Sequence, residues 1–223
     1  MSQRILSLLA LLMLLTGCFA SMPPRISDEY LKDLSAGDSA KLETIEKDII
    51  AITDAKEGTE KERRIVDLQL SLIEKEVKQL EAAKAVLTDE QKLYMAQNDK
   101  EKLEQTNADI IKNDTGIKNK SIEQEILIAK KNSFQSLMKV KDAELGAKIA
   151  ERLYEQAKIG RANQDKLMGA PKDEKEAKGR IDVAKYEEYL KSQKESLAKA
   201  QKEQDEAAAR LKEAEAKLPK TNS

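Results

Sequence analysis

From Leu42 onward, apolar residues recur every seven positions. One series reads Leu42, Ile49, Lys56, Arg63, Leu70 and Val77; a second, offset along the same stretch, reads Ile45, Ile52, Thr59, Val66, Ile73, Leu80, Leu87 and Tyr94. On an α-helix that spacing makes a seam that faces a neighbouring helix along its length, so the pattern predicts one long helix over 39–112. The seam runs through Gly58, a weak point costing about 1 kcal/mol relative to Ala. It also runs through two capping-box patterns, Thr59-x-x-Glu62 and Thr88-x-x-Gln91, and outweighs both as helix starts. After Tyr94 the seven-residue spacing passes to Ala96, Leu103 and Ile110, which a stutter or a change of packing partner explains.

Asn113-Asp114-Thr115-Gly116 is rich in residues that close helices and reverse chains, and the sequence places a helical hairpin turn at 113–116. A second helix is expected over 117–168, with Ile122, Ile126, Ala129, Val140, Ala143, Ala147, Ala150 and Tyr154 on one face, widened by Leu145, Ile149 and Leu153. Gly169-Ala170-Pro171 breaks the pattern over 169–172, because a residue before proline avoids the helical region. The last helix is expected over 173–218. Its seam is Val183, Leu190, Leu197, Gln204, Leu211 and Leu218, with Tyr186, Ala200, Ala207 and Ala214 in the partner positions, and 219–223 is a polar tail. The predicted fold class is all-α: a long antiparallel helical hairpin or coiled-coil bundle, elongated, with helices of up to roughly 75 residues spanning about 110 Å.

Ahead of the body, Arg4 precedes an apolar run from Ile5 to Leu15 broken only by Ser7. That is the layout of a signal peptide, too short to span a hydrocarbon core about 30 Å thick. Leu15-Thr16-Gly17-Cys18 resembles the lipobox of bacterial lipoproteins, a likeness confined to the first 18 residues. The resemblance implies a cleaved signal peptide over 1–17, cleavage between Gly17 and Cys18, and lipid attached to the Cys18 thiol. Two or three acyl chains are needed for a stable anchor, at about 0.8 kcal/mol per buried CH₂. By the sorting rule of enteric bacteria, Phe19 in place of Asp after the cysteine favours the outer membrane. Residues 18–38 then form a tether: Pro23-Pro24 keeps it extended, and Ser27-Asp28-Glu29 caps a short helix ending near Leu34, before Gly37.

Composition narrows the function. His is absent and Cys18 is the one cysteine, which removes the commonest general base and leaves no disulfide or free thiol once lipid is attached. No Gly-rich phosphate loop, zinc motif or nucleophile elbow occurs, so no catalytic, cofactor-binding or metal-binding residue is assigned and no enzyme activity is expected. Lys and Arg number 40 against 41 Asp and Glu, interleaved throughout, which argues against a nucleic-acid partner. Charged residues are 36% and aromatics 3% of the chain, a balance suited to narrow helical seams. Glu43 with Lys47, and other pairs at the same spacing, read as solvated helix faces. The five tyrosines look too scattered to form a platform, and Lys84, Gln91 and Gln204 stand out as polar seam residues able to set register. The expected function is a membrane-anchored, elongated coiled-coil scaffold or spacer of the cell envelope, binding a protein partner or itself through its seams. An accessory part of an envelope transport or secretion machine, and a holdase or surface ligand-binding lipoprotein, fit the same composition.

Overall fold

The computed structural model describes residues 22–32, 34–169, 171 and 179–218. Of these, 89% are helical and none lies in a strand. The fold is all-α, as expected. A 3-10 turn at Asp28–Leu31 precedes three long helices: α1 (Ala36–Gln97), α2 (Lys100–Met168) and α3 (Val183–Glu215). The described residues divide into two compact units, one drawn from 22–50 with 144–196 and the other from 51–143 with 197–218.

The hairpin turn lies at Asn98–Asp99, not at 113–116, and this corrects the sequence reading. Asn98 adopts φ 59°, the left-handed conformation that Asn tolerates better than most residues. Its N–H donates to Met95 O at 3.2 Å and Asp99 N–H to Tyr94 O at 3.1 Å, the paired bonds of a Schellman closure. Asp99 then starts α2, its carboxylate accepting from Lys102 N–H at 3.2 Å. The register change after Tyr94 therefore marks the chain reversal. Asn113-Asp114-Thr115-Gly116 stays helical because its neighbours occupy it. Thr115 Oγ1 donates to Ile111 O at 2.9 Å, Asp114 pairs with Lys84 of α1 at 2.7 Å, and a Cβ at Gly116 would lie 3.5 Å from Leu80.

In the second unit α1 and α2 pair antiparallel through Lys56–Asp142, Asp67–Lys131, Glu76–Lys120, Lys84–Asp114 and Gln91–Asn107, and the two residue numbers of every pair add to 196 or 198. In the first unit Asp48–Lys148, Glu46–Arg152 and Lys41–Glu155 follow the same rule. Every seam position of α1 from Leu42 to Tyr94 is buried or half-buried. On α3, Tyr186, Leu190 and Ala214 are buried and Leu197, Gln204, Ala207 and Leu211 half-buried, whereas Leu218 lies past the helix end and is exposed. The helix begins at Val183, later than the expected 173; residues 172–178 lie outside the described ones.

The start of α1 also differs from the expected 39. Ser35 Oγ accepts from Asp38 N–H at 3.1 Å and donates to the Asp38 carboxylate at 2.7 Å. This cap pulls Gly37 into the first turn. The break after Met168 falls where expected, with Gly169 at φ 70°.

Two substitutions test these backbone assignments by chemical denaturation. Asn98→Ala is expected to destabilise the hairpin by about 1 kcal/mol while Asn98→Gly does not; equal losses would argue against the left-handed closure. Gly58 has open space around a built Cβ, so Gly58→Ala is expected to raise stability by about 1 kcal/mol.

Candidate functional site

The residues singled out for lipid attachment and cleavage, Cys18 and Gly17, lie outside the described residues, as do the leader and the tail 219–223. Immediately downstream, the described part of the segment expected to be an extended tether is docked in the first unit. Pro23 and Ile26 are buried. Tyr186 Oη donates to Pro24 O at 2.6 Å, and Asn163 Nδ2 donates to Tyr30 O at 2.9 Å. Ser27 caps the turn at Asp28–Leu31, accepting from Glu29 N–H at 3.4 Å, which brings the strap back across α2. Its seat depends on Gly160, where a Cβ would come within 2.9 Å of Ile26 Cγ2 and 3.0 Å of Ile181 Cδ1.

The strap completes a core cluster of Ile26, Ala150, Leu153, Ala157, Tyr186, Tyr189 and Leu190, with Tyr30 and Tyr154 packed against it. Small residues on α2 provide the space: Ala150 and Ala157 are fully buried beneath the α3 tyrosines. Four of the five tyrosines thus meet in one place, although they come from three separate segments, and no linear spacing announces them. Burial pushes the Tyr186 and Tyr189 hydroxyls above their ordinary pKa. At the edge of the cluster Arg180, its side chain 1% exposed, donates to Asp165 at 2.5 Å and to Gly169 O at 2.8 Å. Gln164 Oε1 accepts from Ile181 N–H at 3.0 Å, and Arg161 donates to Ile181 O at 3.2 Å. These contacts hold the start of α3 against the end of α2. In the sequence Arg180 is one charged residue among many, so its role was not legible.

Among the described residues of the unit the most buried carboxylate is Glu155, which receives Lys41 at 2.9 Å and Lys158 at 3.2 Å. Burial opposes its ionisation, but hydrogen bonds from Lys41 and Lys158 outweigh burial and hold its pKa below the usual carboxylate range.

In the second unit the polar seam residues Lys84, Gln91 and Gln204 each find a partner on the facing helix. Lys84 reaches Asp114 at 2.7 Å, Gln91 donates to Asn107 at 2.6 Å, and Gln204 donates to Ser133 at 3.4 Å. Lys56, which interrupts the apolar seam, pairs with Asp142, and Arg63 bonds Asp67, which also takes Lys131. Lys217 pairs with Glu125 of α2 at 2.8 Å, and Glu43–Lys47 forms as expected at 2.8 Å.

Among the described residues no group of three metal-ligating side chains converges, and no helix is long and apolar enough to cross a membrane. What the described residues present is surfaces and packing contacts: a docked strap and helical seams with matched polar pairs. No family model matches the chain, and comparison with curated proteins and with solved structures gives no match.

Overpacking a tight site costs about 1–3 kcal/mol, so Gly160→Val is expected to unseat the strap. The readout is faster tryptic cleavage after Arg25, whose side chain is already 83% exposed; an unchanged cleavage rate would show that the strap is not held there. Because the Glu155 pKa is lowered on folding, its contribution is fully present above the unfolded carboxylate value and is lost as pH falls through the lower folded value. Glu155→Gln is expected to cost about 1–3 kcal/mol near neutral pH and to flatten the acid limb of a stability-against-pH curve.

Proposed function

We propose that the chain is a bacterial lipoprotein, anchored through lipid on Cys18, whose coiled-coil body acts as a scaffold or spacer in the cell envelope. No catalytic role is assigned. The observation that carries the reading is the placement of Leu15-Thr16-Gly17-Cys18 directly ahead of the docked strap. From Cys18 to Pro24, whose carbonyl is bonded to Tyr186, there are at most about 20 Å of chain. An acylated Cys18 therefore holds the first unit close to the bilayer surface. That is the geometry of a mount, in which the body has a defined base.

The polar pairing along the seams supports a scaffold role for a second reason. Helices with matched polar contacts hold one register, and a part that positions other molecules needs a fixed register more than it needs a deep pocket. Phe19 after the cysteine favours the outer membrane as the place of attachment.

The test is the intact mass of the membrane-extracted protein beside a Cys18→Ala version. The expected result is a chain that begins at Cys18 and carries two or three acyl chains, with loss of membrane association in the Cys18→Ala protein. A mature chain that begins at Ser21, without Cys18, would overturn the anchor and leave an unanchored exported helical protein.

A further inference from the structure

The strap over residues 22–32 lies on the first unit with few anchors. Seven of its eleven residues are exposed, and Pro23 and Ile26 are the two that are buried. Among the described residues, two hydrogen bonds reach it from the helices, Tyr186 Oη to Pro24 O and Asn163 Nδ2 to Tyr30 O. Both end on backbone carbonyls, which water satisfies once the strap lifts. Its ion pair, Arg25–Asp28, is internal and exposed at both ends. Against these anchors stands the entropy of ordering eleven residues.

The structure on either side of the strap closes without it. Beyond its C-terminal end α1 carries its own cap, Ser35 Oγ accepting from Asp38 N–H at 3.1 Å. On the helices that seat it, the junction of α2 with α3 is clamped by Arg180 on Asp165 and Gly169 O, by Gln164 on Ile181 N–H and by Arg161 on Ile181 O. None of these bonds passes through residues 22–32, and the cluster beneath keeps Ala150, Leu153, Ala157, Tyr189 and Leu190 from α2 and α3. Lifting the strap breaks its own contacts and spares those that hold the helices, which is the condition for a segment that opens locally. We propose that the strap is a releasable latch on the tether: it opens as one piece while α1, α2 and α3 of the first unit stay folded. Opening frees the chain from Cys18 to Ser35, so the reach between anchor and first unit grows from about 20 Å to about 60 Å. The opening stands on the packing alone; the change of reach rests on the lipid-anchor reading.

The test uses the full-length, membrane-extracted chain, with Ile26→Cys in one version and Leu153→Cys in another. The two substitutions truncate buried residues of one cluster equally, and peptide mass reads each new thiol apart from Cys18. The position-26 thiol is expected to react with a maleimide at least about a hundredfold faster than the position-153 thiol, at a rate that low denaturant leaves unchanged while it speeds labelling at 153. Equal rates with equal denaturant dependence would show that the strap leaves only when the unit unfolds. A position-26 thiol as reactive as one in the unfolded chain would show that the strap is never seated, and either result overturns the latch. For the reach, a chain with both Ile26→Cys and Gly160→Cys is oxidised to lock the strap where a Cβ at Gly160 approaches Ile26 Cγ2 at 2.9 Å. It is compared with Gly160→Val on supported bilayers by neutron reflectometry. The water gap between headgroups and protein is expected to be wider in Gly160→Val, by about 1.7-fold for a flexible chain and up to about threefold for a stretched one. Equal gaps would overturn the change of reach. If neither chain is retained by the bilayer, the anchor reading falls and the change of reach with it, while the labelling rates still decide the opening.

Discussion

The reversal at Asn98–Asp99 commits every later pairing, because two long helices joined by so short a link have a single antiparallel register. Each contact between α1 and α2 follows from where the chain turns. A reversal centred on 113–116 would have brought Lys84 opposite Leu145 and Gln91 opposite Met138, leaving polar groups against apolar ones. The observed turn brings Lys84 to Asp114 and Gln91 to Asn107 instead. Local capping chemistry is worth about 1 kcal/mol per site, less than the mismatch along a whole seam. That difference in size explains why a string of good turn residues at 113–116 lies inside a helix.

Much of the architecture was legible in the sequence because heptad spacing is a direct record of which helix faces are covered. The seam of α1, the passage through Gly58, the break after Met168 and the α3 seam all follow from it. The turn was not legible for a definite reason. Asn98-Asp99 is two residues in an otherwise continuous helical pattern, and its only trace was the phase change after Tyr94, which a stutter produces equally well. The Ser35 cap was not legible because Gly37, two residues on, reads as a helix end. The docking of the strap depends on Gly160, Asn163 and Tyr186, far away in the chain, and one sequence alone does not pair such distant residues.

The first unit shows how a chain with 3% aromatic residues still builds a dense core. Tyr30, Tyr154, Tyr186 and Tyr189 gather at one place because α2 presents Ala150, Ala157 and Gly160 there, and small residues let bulky ones approach the helix backbone. The core is asymmetric: α2 supplies the space beside its own Leu153 and Tyr154, and the strap and α3 supply the volume that fills it. Truncating a large residue there leaves a cavity, and enlarging a small one forces the strap away, so the two kinds of change have different signatures.

The seams of the second unit divide their work between two kinds of residue. Val66, Leu70 and Ile73 supply the burial that drives association, but an apolar seam repeats every heptad, and helices slipped by seven residues would bury nearly as much. Lys56 and Lys84 reduce that degeneracy, because each meets a carboxylate of α2 in the observed register. Lys56 and Lys84 have side chains 34% and 44% exposed, so their desolvation cost is small and their contribution to net stability is small as well. What they add is discrimination between registers: a slip of one heptad would set Lys56 against Gln135 or Ile149 and Lys84 against Asn107 or Ser121, and both ion pairs would be lost.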